Sequence, residues 1–399
     1  MQLFLQMGHG MQKLALDLIS KWNGGSVIIS PSNFKNPGNE SVIKYAKQIH
    51  KINGSVLFDP QMFYPKDGHE KLKAYDYWVD ESSSITSETV YKKIDLEILR
   101  INNEIDSSHI IVPGIDMNES NLSYGINWLK SSVNHLSAKT DKPLLGTICL
   151  SSEAIRNDET VEKIIDEIKD IPVYGYYIIA RPTDDDYINT DYRWLTGMMK
   201  LITCIKLLKK YVLVGYSNHQ SLLYSLANVD AIAAGTYMNT RCFVPDKFKS
   251  YKDNTIKKKS TWFYVPSALC EYKAALIDLA KARNFLDLFE PQGEFINEYS
   301  SMLFKGAHPS STNYSESNSF RHYLYCLNIQ CNMLSNLNYQ DTFSAYEFML
   351  RTAENQMATI KKKGIGSQNR DFEPAIEANR IAMITNDEDY GFRLNIDWN

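Results

Sequence analysis

Asp59 and Asp116 each end an apolar, β-branched run and open a polar turn. Carboxylates in such places can divide general acid–base work from hydrogen bonding to a substrate. Each is also well placed to cap a following helix. The same kind of position holds His9; Ser30, Ser32 and Asn33; Gln61; Asn118; Ser151 and Glu153; Arg181; Ser217 and Asn218; and Thr236, Tyr237, Asn239 and Arg241. His9 lies between two glycines that leave it accessible, although a structural hydrogen bond is the commoner use of a lone histidine. His322, Cys326 and Cys331 fall on one helical pattern. Zinc wants closely paired ligand spacings, so the pattern reads as a core helix with buried thiols, and no metal site is expected. The chain has no G-x-x-x-x-G-K-[ST] loop, no strand-borne G-x-G-x-x-G and no G-x-S-x-G elbow, so phosphate-loop, dinucleotide and serine-hydrolase chemistry lose their main support, and no cofactor is expected.

These residues would meet only if the runs that carry them are strands of one sheet. Eight such runs occur: Leu3–Met7, Val27–Ser30, Val56–Asp59, His109–Pro113, Leu144–Leu150, Val173–Ala180, Tyr211–Gly215 and Val229–Thr236. Most are continuously apolar, the mark of buried parallel strands. Helical segments fit between them, among them Met11–Trp22, ended by Asn23-Gly24-Gly25, then Thr160–Asp170 and Gln220–Ala227. An eightfold strand–helix alternation predicts an α/β fold, a (β/α)8 TIM barrel, whose strand ends converge on one mouth. The barrel is expected over residues 1–246, with an insertion or lid around 64–108. Beyond Asp246 the strand rhythm stops. Residues 247–399 are expected to form a mainly helical extension packed on the barrel, with helices over 266–304 and 317–362 and a partly mobile tail after Lys363.

Composition narrows the class. The 399 residues are 44% hydrophobic and 23% charged, as in an ordinary soluble globular protein, and the net charge of −4 offers no bulk attraction to nucleic acid. Lys257–Lys259 and Lys361–Lys363 are local basic runs that read first as solvated loops and second as phosphate contacts. Six scattered cysteines suit reduced, buried thiols, and the amino terminus reads as a strand instead of a signal peptide, so a cytoplasmic location is expected. No apolar stretch reaches the length of a membrane span, so no membrane partner is expected. A homodimer is compatible with all of this.

The run order and its polar ends resemble the tRNA-guanine transglycosylase superfamily, which exchanges guanine for a 7-deazaguanine within a (β/α)8 barrel. Tyr211–Arg241 is similar to the family's pattern of an apolar strand, a glycine turn, a short helix, "G-V-D-x-F-D" and then "T-R". Here Asn228-Val229-Asp230 and Thr240-Arg241 take the matching places. Val56–Phe63 resembles the strand that ends in "D-S-G-G-F", HIIVPGID resembles the strand whose aspartate reads the base edge, and Gly175–Ile178 resembles "G-Y-A-I". The helical stretch from Ser319 to Ala358 is similar in outline to the family's terminal helices. The likeness spans most of the chain through scattered identities.

The resemblance implies Asp59 and Asp230 as working carboxylates. It implies Asp116 as the base reader, with Gln61, Ser151, Asn218, Tyr237, Asn239 and Arg241 around the substrate. The implied ligand is a guanine or 7-deazaguanine base, alone or in a nucleic-acid or protein macromolecule, and by analogy a place in DNA modification or antiviral defence. The departures are specific. The nucleophilic aspartate falls at Ala233, or at Gly235 when Thr240-Arg241 is the anchor, and neither can attack a ribose carbon. The paired glycines after "G-Y-A-I" are Ile179 and Ala180, the base-reading glutamine of the fifth strand is Leu150 or Ser151, and the zinc cysteines are missing. A divergent transglycosylase-like enzyme with a changed mechanism and a non-catalytic nucleobase-binding accessory protein are therefore both open. An unrelated barrel lyase or aldolase is weakened because no strand end carries a Schiff-base lysine.

Overall fold

Each of the eight apolar runs contributes a strand in the computed structural model, which describes residues 1–65, 69–79, 84–248 and 260–398. The strands are β1 (Gln2–Gln6), β2 (Gly25–Ile29), β3 (Gly54–Phe58), β4 (Ile110–Val112), β5 (Asp116–Met117), β6 (Leu144–Leu150), β7 (Gly175–Ala180), β8 (Tyr211–Val214) and β9 (Ala231–Ala234). They form one parallel sheet in the order β3-β2-β1-β9-β8-β7-β6-β4, with β5 also paired to β6. The sheet nearly closes on itself. Between β3 and β4 the Ser108 amide donates to Val56 O at 3.0 Å, and farther up the Asp116 amide donates to Phe63 O at 3.0 Å. The result is a barrel-like α/β architecture.

Alternation along the strands separates two apolar layers. Phe4, Ile28, Leu57, Ile111, Leu145, Tyr177, Leu213 and Ala233 pack together as the interior. Their neighbours Leu5, Val27, Val56, Val112, Ile178 and Ile232 belong to the outer core. Helices α1 (Gln12–Trp22), α2 (Asn39–His50), α3 (Glu88–Glu104), α4 (Leu122–Ser137), α5 (Ser152–Arg156), α6 (Asp158–Ile168) and α7 (Tyr192–Leu207) connect the strands, with a 3-10 helix at His219–Ala227 before β9. α1 stops where Asn23 turns left-handed at φ 54°, a conformation Asn tolerates. The fourth run is split at Pro113-Gly114 because the chain there lies against Thr147. A side chain on Gly114 would stand 2.8 Å from the Thr147 Cβ, and Thr147 Oγ1 donates to Val112 O at 2.5 Å. This kink moves Asp116 off β4 and onto β6.

Two expectations for the carboxy-terminal region are corrected. Strands do not end at Asp246: β10 (Trp262–Val265) and β11 (Cys270–Lys273) form an antiparallel hairpin, followed by α8 (Ala274–Ala282) and a series of short 3-10 turns rather than continuous helix. The hairpin is aromatic-rich and finds a partner in α9 (Glu316–Met333), where His322 stacks on Phe263 at 4.6 Å. After α10 (Tyr339–Lys362), the tail expected to be mobile forms α11 (Glu373–Asp397). Its polar composition hides its anchors. Asn386 Oδ1 accepts from Thr203 on α7 at 2.8 Å, and Asn379 Oδ1 accepts from Tyr346 on α10 at 3.1 Å. All six cysteines are free thiols. The Lys257–Lys259 run lies outside the described residues. No helix among the described residues is long and apolar enough to cross a membrane.

Candidate functional site

Inside the barrel, at the carboxy-terminal ends of its strands, Asp59 anchors a closed polar network. It is 1% exposed, and its Oδ1 accepts from the Gln61 amide at 3.0 Å. Its Oδ2 accepts from Tyr216 at 3.0 Å and Tyr177 at 3.3 Å. Gln61, held left-handed at φ 55°, donates through Nε2 to Tyr216 at 3.2 Å and accepts from Ser32 Oγ at 2.6 Å. Gln6 joins from β1, accepting from Tyr177 and donating to Ser30, each at 3.2 Å. Burial pushes the Asp59 carboxyl up to about 6 even though the Gln61 amide and the two phenols pull it down. Phe63, Phe243 and Phe248 pack edge-to-face or stacked at 5.0–5.2 Å from one another and against Tyr216, an aromatic layer over this end of the barrel.

Asp116 occupies a different setting. It is half-buried in a cleft of about 490 Å³ whose walls include Phe63, Tyr64, Ile115, Asn118 and Tyr124. Tyr64 donates to Asp116 Oδ2 at 2.6 Å, and burial together with the Asp116 charge pushes the Tyr64 phenol far above its ordinary range. Asn121 Nδ2 holds the Asp116 backbone carbonyl at 2.9 Å. Cys149 stands behind, with Sγ 3.9 Å from Asp116 Oδ1. Its thiol is raised well above the usual value by burial and by the charges of both Asp116 and Asp59. Phe63 is common to the two settings: it belongs to the aromatic layer and also lines the Asp116 cleft.

The other expected site residues disperse. Asp230 precedes β9, at the opposite end of the barrel from Asp59. There its Oδ2 accepts from Lys206 at 2.6 Å and from the Val212 amide at 2.7 Å, an ion pair that fastens α7 to β8. Ser151 caps α5 through Oγ. Asn218 is spent on backbone: Oδ1 accepts from the Gln220 amide, while Nδ2 donates to Tyr187 O and Arg241 O. Tyr237 donates to Glu316 at 3.2 Å and packs on Phe320, and Asn239 sits half-buried in the turn Met238–Thr240. Arg241 is 1% exposed, pairs with Glu271 at 3.3 Å and lies 3.4 Å above the Tyr323 ring centre. Ala233 faces the barrel interior with only a methyl group. His322 bonds Tyr264 O at 2.8 Å and Asn297 at 2.9 Å, and burial lowers it to about 4. Among the described residues no three His, Cys, Asp or Glu side chains gather as metal ligands.

No family model matches this chain, and no curated protein is similar to it in sequence.

Sequence reasoning missed Gln6, Tyr64, Tyr177 and Tyr216. Gln6 carried a signal, a polar side chain two residues beyond Phe4 on the inward face of an apolar run. The tyrosines carried none, because an aromatic within a strand or turn normally reads as packing.

Proposed function

We propose that the chain is a divergent transglycosylase-like protein on a (β/α)8 barrel, and that it recognises a guanine or 7-deazaguanine base in the cleft beside Asp116. The observation that carries this reading is the half-buried Asp116 carboxylate with the Tyr64 hydroxyl 2.6 Å away, set among Phe63 and Tyr124. A guanine edge presents N1–H and an exocyclic amine, which one carboxylate accepts together, and an O6 that needs a donor such as the Asn118 amide, while the Tyr64 hydroxyl holds the carboxylate in place. The aromatic walls offer the ring a stacking surface. Binding is the supported activity, because the strand that would bear the nucleophile ends in Ala233 and Ala234.

The test is calorimetric titration with guanine, 7-cyano-7-deazaguanine and 7-aminomethyl-7-deazaguanine. Wild type should bind at least one of them, and Asp116→Asn should weaken it roughly 10- to 100-fold, the worth of charge-assisted hydrogen bonds. Absence of binding by wild type would remove the proposal.

A further inference from the structure

The carboxy-terminal region holds a cleft that shares no residue with the barrel sheet. It has a volume of about 360 Å³, and its walls include Val265 and Pro266 from the β10–β11 hairpin, Phe289, Pro291 and Phe295 from the turns after α8, and Met333 from the end of α9. A cleft of this size takes a ligand or a few apolar side chains.

The walls are set in advance. Val265 and Phe289, each 1% exposed, are the buried part of the lining. Phe289 packs edge-to-face on Tyr272 at 5.1 Å, Gln330 Nε2 donates to Pro266 O at 3.2 Å, and Asn297 Nδ2 donates to Phe295 O at 2.8 Å. Apolar surface is also left on the outside. Met333 is 51% exposed, and Ile296, the neighbour of Phe295, is 62% exposed. Single apolar side chains on a surface need no explanation, but an apolar cleft with such side chains at its edge is what a protein contact leaves uncovered. Met suits that place, because its flexible thioether refits to the shape it meets.

Charge selects the kind of partner. Glu290 and Glu294 stand on the walls of the same cleft, and both are exposed. From Asn284 to Phe304 the chain carries Asp287, Glu290, Glu294 and Glu298 and no Lys, Arg or His. Glu298 pairs with Lys21, whereas Asp287, Glu290 and Glu294 have no ion pair among the described residues. No basic side chain among the described residues lines the cleft. Complementary potentials steer association, so this edge favours a cationic partner and disfavours anionic lipid headgroups.

We propose that this cleft docks a segment of another protein that presents a few apolar side chains with Lys or Arg beside them. The apolar groups fill the cleft over Val265 and Phe289, and the cations meet Glu290 and Glu294 at its edge. No wall of the cleft belongs to the base site at Asp116, so docking and base binding stand or fall separately.

The test uses a fluorescein-labelled peptide in which Lys alternates with Leu and Phe, read by fluorescence anisotropy. Two companion peptides carry Glu for every Lys or Ser for every apolar residue. Wild type should bind the first saturably, roughly 10-fold or more tighter than either companion, and less tightly as salt rises. Glu290→Lys together with Glu294→Lys should weaken binding roughly 10-fold, the effect of turning two surface attractions into repulsions. Met333→Ser should weaken it severalfold. Glu377→Lys together with Glu388→Lys makes the same change of net charge on α11 and should leave binding at the wild-type level. All five positions are exposed, and thermal unfolding checks that each variant is folded. Failure of wild type to bind, equal binding of the three peptides, or equal losses from the two pairs of reversals would overturn the proposal. So would self-association of wild type, seen by light scattering, that Glu290→Lys with Glu294→Lys abolishes, since the cleft would then belong to a second copy of the chain.

Discussion

Asp59 and Asp116 both leave the ends of apolar runs, yet the protein treats them oppositely. Asp59 is enclosed, with three protein donors on its two oxygens and an aromatic layer above. Asp116 is half-open, with one phenol on Oδ2 and a cleft in front. Phe63 is the partition between them. The lesson is that a strand-end carboxylate acquires a role from what closes over it. The same residue type serves as polar core in one place and as a cleft-lining acceptor in the other.

Removing the two side chains should separate these roles most sharply. Asp59→Ala strands the Tyr216 hydroxyl and the Gln61 amide, leaves Tyr177 with Gln6 alone and opens a cavity, so urea unfolding should show a loss of about 3–5 kcal/mol. Asp116→Ala should cost about 1 kcal/mol or less, as expected where solvent can replace the lost partner. Similar losses for both would erase the distinction.

Breaching the partition comes next in size. Phe63→Ala should destabilise the fold by about 3 kcal/mol. It should also expose the buried Cys149 thiol, so that a maleimide labels it well above the wild-type rate in a native-state reaction. Unchanged labelling at Cys149, mapped by mass spectrometry, would mean that the two settings are not divided by this ring.

The carboxyl of Asp59 also predicts a pH signature. Its folded value of about 6 lies above an unfolded value near 3.8, so protonation favours the folded state. The contribution is complete below pH 3.8 and is lost as pH rises to about 6, a decline of roughly 3 kcal/mol at 1.36 kcal/mol per unit. Asp59→Asn should remove that decline from the difference between the two stability profiles. A parallel pair of profiles from pH 4 to 7 would contradict it.

The smallest effect is expected at Tyr64. Tyr64→Phe removes the 2.6 Å donor to Asp116 and should change stability by about 1 kcal/mol, while lowering base affinity severalfold. Affinity equal to wild type would take Tyr64 out of the recognition edge.

Much of the frame was legible along the chain. Runs of Val, Ile and Leu between glycine and asparagine turns marked the strands of the parallel sheet except the short β5. Polar residues at their ends marked Asp59, Gln61 and Asp116. Other features were illegible for a physical reason in each case. Asp230 shares its sequence neighbourhood with strand-end residues but precedes its strand, which sends it to the other end of the barrel and to Lys206. Arg241 read as a substrate-binding residue at a strand end, because nothing near it in sequence announces Glu271 on a hairpin or Arg370 before α11. The tail looked mobile because its asparagines reach partners far away in sequence, on α7, α10 and the 3-10 helix before β9.

Periodicity and turn chemistry, being local, are written in the sequence: which segments are strands, and which face of each is apolar. What Asp59 touches is not local. Tyr177 and Tyr216 lie 118 and 157 residues away and reach it only because parallel strands return to the same end of one nearly closed sheet. Burial, proton affinity and access depend on those long-range neighbours, so tertiary structure alone decided that one aspartate is enclosed and the other faces a cleft.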